Sequence, residues 1–134
     1  MNCIFCDILS KKREGHFIYE DENHVAFLDK YPIDKGHALV VPKHHYEKII
    51  DMPEQGVGEL FSQIPKIARA ILAATQADAF SLAQNNGRAA KQIIPHVHVH
   101  IIPRYESMGA IWTKRTIPSF EELEDLAKKI KEHL

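Results

Sequence analysis

The sequence predicts an α+β domain over residues 1–134, in which a five-stranded antiparallel sheet carries one long helix and a C-terminal helix. Three observations predict this class. Short β-rich runs recur at roughly ten-residue intervals and end at turn residues. One long segment repeats apolar residues at three- and four-residue steps, which is typical of a helix with one buried face. The strands and helices do not alternate, which favours separate α and β layers.

The first half of the chain contains a short helix and three strands. A helical turn beside the cysteines is predicted to face Ile4, Ile8 and Leu9 inward. Strands are predicted at residues 17–19, 25–28 and 38–41, the last ending at Pro42. Residues 44–52 are predicted to form a short helix.

The second half contains the two substantial helices and the two remaining strands. The long helix is predicted from residue 53 to about 75, with a kink at Pro65 because proline removes one helical hydrogen bond. Strands are predicted at residues 79–84 and 97–102, with a turn at 85–88 between them. Ser119 and Glu122 form a capping box that predicts where the C-terminal helix begins.

Composition and charge exclude several functional classes. The longest unbroken apolar run is residues 70–74, whereas a membrane helix needs about 18 residues. The formal net charge of −1 excludes capture of nucleic acid by a broad basic surface. The first seven residues lack the basic end and apolar stretch of a signal peptide, so we expect a cytoplasmic protein with reduced cysteines.

Nine histidines stand beside only two cysteines. His96, His98 and His100 alternate with valines, so a strand would place the three imidazoles on one face and the valines in the core. The alternative is a polar strand face that happens to hold histidines. Charged imidazoles at this spacing would repel one another, which favours neutral rings that are coordinated or hydrogen-bonded.

Cys3 and Cys6 have the spacing of half a zinc site. A thioredoxin-like redox motif is disfavoured because no strand precedes them. The missing ligands would have to be histidines from later in the chain, and the alternative is a pair of free, buried thiols.

The histidine segment resembles the signature of a known family. His96-x-His98-x-His100 followed by Ile-Ile-Pro-Arg is similar to the signature of the histidine triad family of nucleotide hydrolases and transferases. Residues 27–29 and 36–45 resemble two further segments of that family. Asn85 and Gln92 stand thirteen and six residues before His98, as family members have them. The resemblance covers about residues 3 to 104.

The resemblance implies a covalent mechanism. His98 would be the nucleophile that attacks the α-phosphorus of a purine nucleotide conjugate and forms a nucleotidyl-histidine, which water then cleaves. A backbone carbonyl would fix the tautomer of His98, and His100 would donate a hydrogen bond to the phosphate. For His100 the alternative is a buried histidine with a purely structural hydrogen bond, and His37 is expected to be structural.

The resemblance also implies the nucleotide-binding residues. Asn85 and Gln92 would offer amide donors to phosphate, although Asn-Asn-Gly is also an ordinary turn sequence. Asp29 would accept from the ribose hydroxyls, or be a solvated aspartate at a strand end. The apolar base pocket, whose members could equally be plain core, is expected to consist of Phe5, Ile8, Phe27 and Leu28.

A subset of the family with Cys-x-x-Cys near its start implies a structural Zn²⁺ site. Its ligands here would be Cys3, Cys6, His45 and His96, with His44 as the alternative to His45. The metal would pin the N-terminus to the catalytic segment and orient the nucleophile through His96. His16, His24 and His133 are expected to be solvated.

The resemblance further implies a homodimer. The sequence departs from many family members at Lys91, where glycine is common, and at Ile93, where the phosphoramidase branch has serine. These departures leave a phosphoramidase and a dinucleoside polyphosphate hydrolase both open. Two other hypotheses are a nucleotide-binding protein with weak catalysis and a zinc-stabilised interaction module.

Overall fold

The computed structural model describes residues 3–106 and 117–134, and it confirms the predicted class. Five strands form one sheet in the order β1-β2-β3-β5-β4, and every neighbouring pair is antiparallel. The strands are β1 Phe17–Glu20, β2 His24–Leu28, β3 Ala38–Pro42, β4 Ala79–Ala83 and β5 Val99–Arg104. The helices are α1 Ile4–Leu9, α2 Glu54–Ser62, α3 Ile64–Thr75 and α4 Phe120–Lys131.

The sheet has two buried faces because residues alternate along each strand. Ala26, Val40 and Val99 pack in a helix-covered core with residues of α3 and α4. Val25, Phe27 and Leu39 pack on the opposite face, in what we call the N-terminal cluster. The members of the N-terminal cluster are Cys3, Phe5, Ile8, Val25, Phe27, Leu39 and Val41.

The predicted long helix is two helices. α2 ends at Ser62 and α3 begins at Ile64, with Gln63 between them. Pro65 lies in the first turn of α3, where a missing amide hydrogen costs nothing because that turn has no intrahelical acceptor for it. The proline therefore starts a new helix instead of kinking one.

The prediction of a short helix over residues 44–52 was wrong. Within that segment only Ile49–Asp51 is helical, as a single 3₁₀ turn. The preceding residues extend along the histidine segment, where the backbone N–H of Val97 donates to Tyr46 O at 2.8 Å. The prediction that Ile4 faces inward was also wrong, because its side chain is exposed whereas those of Phe5 and Ile8 are buried.

Two of the histidines predicted to be solvated are buried beside carboxylates. His16 Nδ1 lies 2.5 Å from Glu124 Oε1 of α4, and His24 Nδ1 lies 3.1 Å from Asp21 Oδ1. The carboxylates give these buried rings a polar partner. His133 is exposed, as predicted.

α4 begins where the capping box predicts. Ser119 is its N-cap, and the side chain accepts from the backbone N–H of Glu122 at 3.1 Å. The longest helices, α3 and α4, have 12 residues each. Among the described residues no helix has both the length and the apolar character needed to cross a bilayer.

Candidate functional site

The three alternating histidines straddle the start of β5. The strand begins at Val99, two residues later than predicted, so His96 and His98 lie in the segment that leads into it. Val97, Val99 and Ile101 are nonetheless buried in the helix-covered core. His98 lies beside Phe5 of the N-terminal cluster, with ring centroids 4.9 Å apart. The alternation was thus read correctly, although only His100 belongs to the regular strand.

The tautomer of His98 is fixed by the backbone. Its Nδ1 lies 2.7 Å from the carbonyl oxygen of His96. A carbonyl only accepts, so Nδ1 carries the proton and Nε2 presents a lone pair. Burial lowers the pKa of His98 below its ordinary value, against the opposing effects of this hydrogen bond and of the Asp29 charge. The ring is therefore neutral near pH 7 and has a nucleophilic nitrogen.

His37 fixes the tautomer of His100 in the same way. The backbone N–H of Ile33 donates to His37 Nδ1 at 3.0 Å, which leaves the proton of the neutral ring on Nε2. His37 Nε2 then donates to His100 Nδ1 at 2.9 Å. His100 must consequently carry its proton on Nε2, where it can donate to a ligand. We call His37, His98 and His100 the imidazole site.

Gly36 places His37 immediately before β3. Its φ of +94° is one that residues with a Cβ rarely adopt, and an added Cβ would lie 2.8 Å from Thr75 Cγ2. The prediction that His37 is a hydrogen-bonding residue agrees with these contacts. Its partnership with His100 was not predicted, because the two residues are 63 positions apart.

The metal-binding residues predicted from the resemblance form a second cluster. The donor atoms of Cys3, Cys6, His45 and His96 lie within 4.8 Å of one another. We call these four residues the thiol–imidazole cluster. His44, the alternative ligand, is exposed and stacks on Tyr46 instead.

The donor spacing within this cluster fits a tetrahedral ion. His45 Nδ1 and His96 Nδ1 are 3.2 Å apart, and the sulfur-to-nitrogen distances are 3.4 to 3.6 Å. Ordinary zinc bond lengths place two nitrogens about 3.3 Å apart and a sulfur and a nitrogen about 3.6 Å apart. The cluster could therefore hold a metal without rearrangement.

The tautomer of His96 also favours metal binding. His96 Nε2 lies 2.8 Å from the carbonyl oxygen of Pro42, so Nε2 carries the proton and Nδ1 offers its lone pair to the cluster. The residue is fully buried, and burial lowers its pKa to about 4. The side chain of His96 thus belongs to the thiol–imidazole cluster, while its carbonyl holds His98.

Asp29, His37 and His100 also bring three possible ligand atoms together. Asp29 Oδ2 lies 3.5 Å from His37 Nε2. This group is unsuited to a metal because the Ile33 amide occupies Nδ1 of His37 and keeps Nε2 protonated. In this group, His37 therefore acts as a hydrogen-bond donor to His100 and not as a metal ligand.

The two predicted phosphate donors, Asn85 and Gln92, differ in the hydrogen bonds that their side chains make. Asn85 is half-buried, and its side-chain amide makes no hydrogen bond within residues 3–106 and 117–134. Gln92 Nε2 donates to the carbonyls of Glu47 and Ile94, and its Oε1 accepts from the Gly87 N–H. Gln92 thus uses both amide hydrogens to brace its own loop, and its donation to phosphate stays a prediction.

The predicted base pocket loses one member. Phe5, Ile8 and Phe27 share the N-terminal cluster, and the rings of Phe5 and Phe27 meet edge to face at 5.4 Å. Leu28 lies on the opposite face of β2, in the helix-covered core, because neighbouring strand residues point to opposite sides. Asp29 follows β2 at the edge of the imidazole site, where its Oδ1 accepts from the Tyr31 N–H at 2.8 Å.

Residues 10–107 match the family model of the HIT domain. An uncharacterised HIT-like protein of Methanocaldococcus jannaschii is 40% identical over 129 residues, which cover 96% of this chain and 98% of that protein. The chain belongs to the histidine triad (HIT) family.

Some relatives have enzyme names. The adenylylsulfatase HINT3 of Arabidopsis thaliana is 39% identical over 116 residues, covering 87% of this chain and 58% of that protein. The adenosine 5′-monophosphoramidase HNT1 of Saccharomyces cerevisiae is 36% identical over 131 residues, covering 96% of this chain and 80% of that protein.

Solved structures share the fold. A hypothetical histidine triad nucleotide-binding protein of Sulfolobus tokodaii superposes with a TM-score of 0.90 at 40% identity, covering 98% of this chain and 91% of that chain. A Zn-bound histidine triad family protein of Mycobacterium smegmatis has a TM-score of 0.87 at 34% identity, covering 99% and 93%.

Proposed function

We propose that this protein is a nucleotide hydrolase or nucleotidyl transferase that acts at the α-phosphate of purine nucleotide conjugates through a covalent intermediate on His98. The observation that carries the proposal is the hydrogen bond from His98 Nδ1 to the His96 carbonyl, which leaves Nε2 as a free nucleophile. The names of the two plant and yeast relatives support hydrolysis of adenosine nucleotide conjugates.

The reaction proceeds in two balanced steps. In the first, the lone pair of His98 Nε2 forms a bond to the α-phosphorus, and the bond from phosphorus to the leaving group breaks with its electrons going to that group. In the second, water attacks the same phosphorus, the P–N bond breaks, and one water proton goes to solvent. His98 returns to its neutral tautomer with the nucleoside monophosphate released.

The neighbouring groups are assigned to binding and charge stabilisation. His100 donates from Nε2 to a phosphate oxygen, where negative charge builds up in each transition state. Asn85 offers a second, uncharged donor. Asp29 accepts from the ribose hydroxyls, and the base lies against the N-terminal cluster at Phe5, Ile8 and Phe27.

The metal in this proposal is a structural Zn²⁺ held by Cys3, Cys6, His45 and His96. When bound, it would stabilise the fold and would take no part in the reaction. Its effect on His98 is indirect, through the position of the His96 carbonyl. The Zn-bound relative from M. smegmatis supports this choice of metal.

The proposal includes a homodimer in the cytoplasm. β4 is an edge strand, and its side chains Phe80 and Leu82 are 40% and 48% exposed. An apolar edge of this kind invites pairing with a second chain. Sedimentation of the purified protein at two concentrations measures the oligomeric state.

The proposed location in the cytoplasm rests on the cysteines. Reduced thiols suit a cytoplasmic zinc protein.

Turnover assays with His98→Ala test the proposed function. The substrates are an adenosine phosphoramidate, adenylyl sulfate and a diadenosine polyphosphate, and His133→Ala at an exposed site is the matched control. We expect His98→Ala to lose on the order of 10⁴-fold in kcat, with the control unaffected. Equal turnover by His98→Ala and the wild type would rule out the nucleophile.

A wild type that binds AMP but turns over none of these substrates would favour the nucleotide-binding protein with weak catalysis. A protein that binds zinc and no nucleotide would favour the interaction module. Isothermal titration with AMP separates these two outcomes.

A further inference from the structure

A separate cleft lies between the loop that joins α1 to β1 and the first residue of α4. Its volume is about 310 Å³, which is at the small end of the range for ligand sites in proteins. The lining includes three cations, one carboxylate and two aromatic rings: Lys11, Lys12, Arg13, Glu14, Phe17 and Phe120. None of these residues belongs to the imidazole site, to the thiol–imidazole cluster or to the proposed nucleotide-binding set. The cleft is therefore a candidate site for a different ligand.

Positive charge predominates in this cleft. The three consecutive cations are exposed, and Glu14 is the one carboxylate among the described lining residues. Lys11 and Lys12 form no ion pair with any described residue. Arg13 Nε lies 3.9 Å from Asp7 Oδ2, and this pair is weak because both side chains are exposed. The cleft thus favours an anionic ligand, in a chain whose net charge is −1.

The turn after α1 fixes the backbone of the three cations. The N–H groups of Lys12 and Arg13 both donate to Asp7 O, at 2.8 and 3.2 Å. The N–H of Lys11 donates to Ile8 O at 3.1 Å, and the φ of Lys11, +68°, is the left-handed conformation that glycine usually adopts after a helix. A fixed backbone favours binding because less conformational freedom is lost when a ligand arrives.

Two aromatic rings give the cleft its apolar part. One face of Phe17 is covered by Lys11, whose Nζ lies 4.1 Å from the ring centroid. Phe120 is 52% exposed, and its ring meets that of buried His16 with the centroids 4.7 Å apart. The exposed surface of Phe120 can therefore stack on a planar ring, and the ammonium group of Lys11 lies in the same cleft to pair with an anion.

We propose that this cleft binds a planar aromatic anion, whose ring stacks on Phe120 and whose charged group pairs with the three consecutive cations. The site is distinct from the proposed catalytic site and does not rest on the proposed function. A molecule that joins the ring to the anion satisfies both parts of the cleft at once, whereas an inorganic anion or an uncharged ring satisfies only one.

The test is binding of naphthyl phosphate to the wild type, followed through the backbone amide resonances by NMR. Naphthol and inorganic phosphate are the two half-ligands. Millimolar naphthyl phosphate should shift the resonances of Gly15, Phe17 and Phe120 until they saturate, and neither half-ligand should do so at the same concentration. The resonances of Val99 and His100 report on the proposed catalytic site, so binding at the two sites is measured separately.

Two variants separate the ring from the charges. Phe120→Leu keeps an apolar side chain and removes the stacking surface, and Lys12→Gln/Arg13→Gln removes two exposed cations. Each should weaken binding in the cleft about tenfold. Added salt should weaken binding by the wild type more than binding by the charge variant. Lys128→Gln/Lys129→Gln removes two exposed cations from α4 outside the cleft, and this matched control should bind with wild-type affinity.

Shifts confined to Val99 and His100 would overturn this inference. Unchanged affinity in both variants at the wild-type melting temperature would do the same, and so would equal binding of inorganic phosphate and naphthyl phosphate. A charge variant that melts earlier but binds as tightly as the wild type would assign the cations to the end of α1 alone and reject the site. None of these results bears on the nucleophile, which the turnover assays test.

Discussion

The thiol–imidazole cluster and the imidazole site are built from the same side chain and have opposite properties. In the first, the Pro42 carbonyl accepts a hydrogen bond from Nε2 of His96 and leaves Nδ1 directed at two sulfurs and a third donor. In the second, the Ile33 amide occupies His37 Nδ1, so His37 donates its Nε2 proton to His100. One backbone group on each ring therefore decides whether a histidine is a metal ligand or a proton donor.

The two regions meet at His96. The side chain of His96 belongs to the thiol–imidazole cluster, and its carbonyl accepts from His98. Cys3 also links them, because it caps α1, which carries Phe5 against the His98 ring. A change in the cluster should thus affect catalysis weakly and stability strongly, and a change in the imidazole site should do the reverse.

The largest expected effect is on metal content. Cys3→Ser/Cys6→Ser should reduce zinc from close to one ion per chain to none. Serine at position 3 can still cap α1, so the variant mainly reports loss of the metal. We expect a destabilisation of about 3 to 5 kcal/mol, or roughly 10 to 20 °C in Tm. Elemental analysis and calorimetry measure both.

His44→Ala is the matched control, since His44 lies next to His45 and outside the cluster. It should retain zinc and the wild-type Tm. A metal-free wild type that melts together with the double serine variant would refute the zinc proposal.

The second effect is on catalysis without metal loss. His37→Ala removes the hydrogen-bond donor to His100 Nδ1 and so frees the tautomer of His100. We expect kcat to fall about tenfold to a hundredfold, with little change in KM or zinc content. His37→Gln should restore part of kcat, because its amide can accept from Ile33 and donate to His100.

A purely structural role for His37 predicts a different pattern. In that case both variants would lower Tm and kcat together, and His37→Gln would give no rescue of kcat at equal Tm. Steady-state kinetics beside thermal melts distinguish the two roles.

Much of the fold, and the separation of the three alternating histidines from the core, follows from periodicities within the sequence. The two-residue alternation at residues 96–101 correctly separates the imidazoles from the core valines. The same rule, applied to Phe27 and Leu28, would have removed Leu28 from the base pocket. Asp21, three residues before His24, was likewise a local signal for the burial of that ring.

The remaining features depend on partners that are distant in the sequence. His16 is buried because Glu124 lies beside it from 108 positions away, and Gln92 braces its loop through the carbonyl of Glu47, 45 positions away. No local pattern encodes such contacts. The resemblance supplied the pairing of Cys3 and Cys6 with His45 and His96, which spacing alone left open.

The smallest expected effect is on the pH profile. Burial lowers the pKa of both His98 and His100 below the ordinary histidine value of about 6.5. A nucleophile with a depressed pKa stays neutral as the pH falls, until the pH reaches that lower pKa. The acid limb of kcat/KM should therefore lie below about pH 6.5. An acid limb above this value would contradict the burial argument.

The central claim is that His98 Nε2 becomes covalently bonded to the nucleotide. The direct measurement is acid quenching of the wild type during turnover of an adenosine conjugate, followed by intact-mass analysis and peptide mapping. We predict a mass gain of one adenylyl group, located on His98 and absent from His98→Ala. Turnover by the wild type without an adduct, or with the adduct on another residue, would contradict the account.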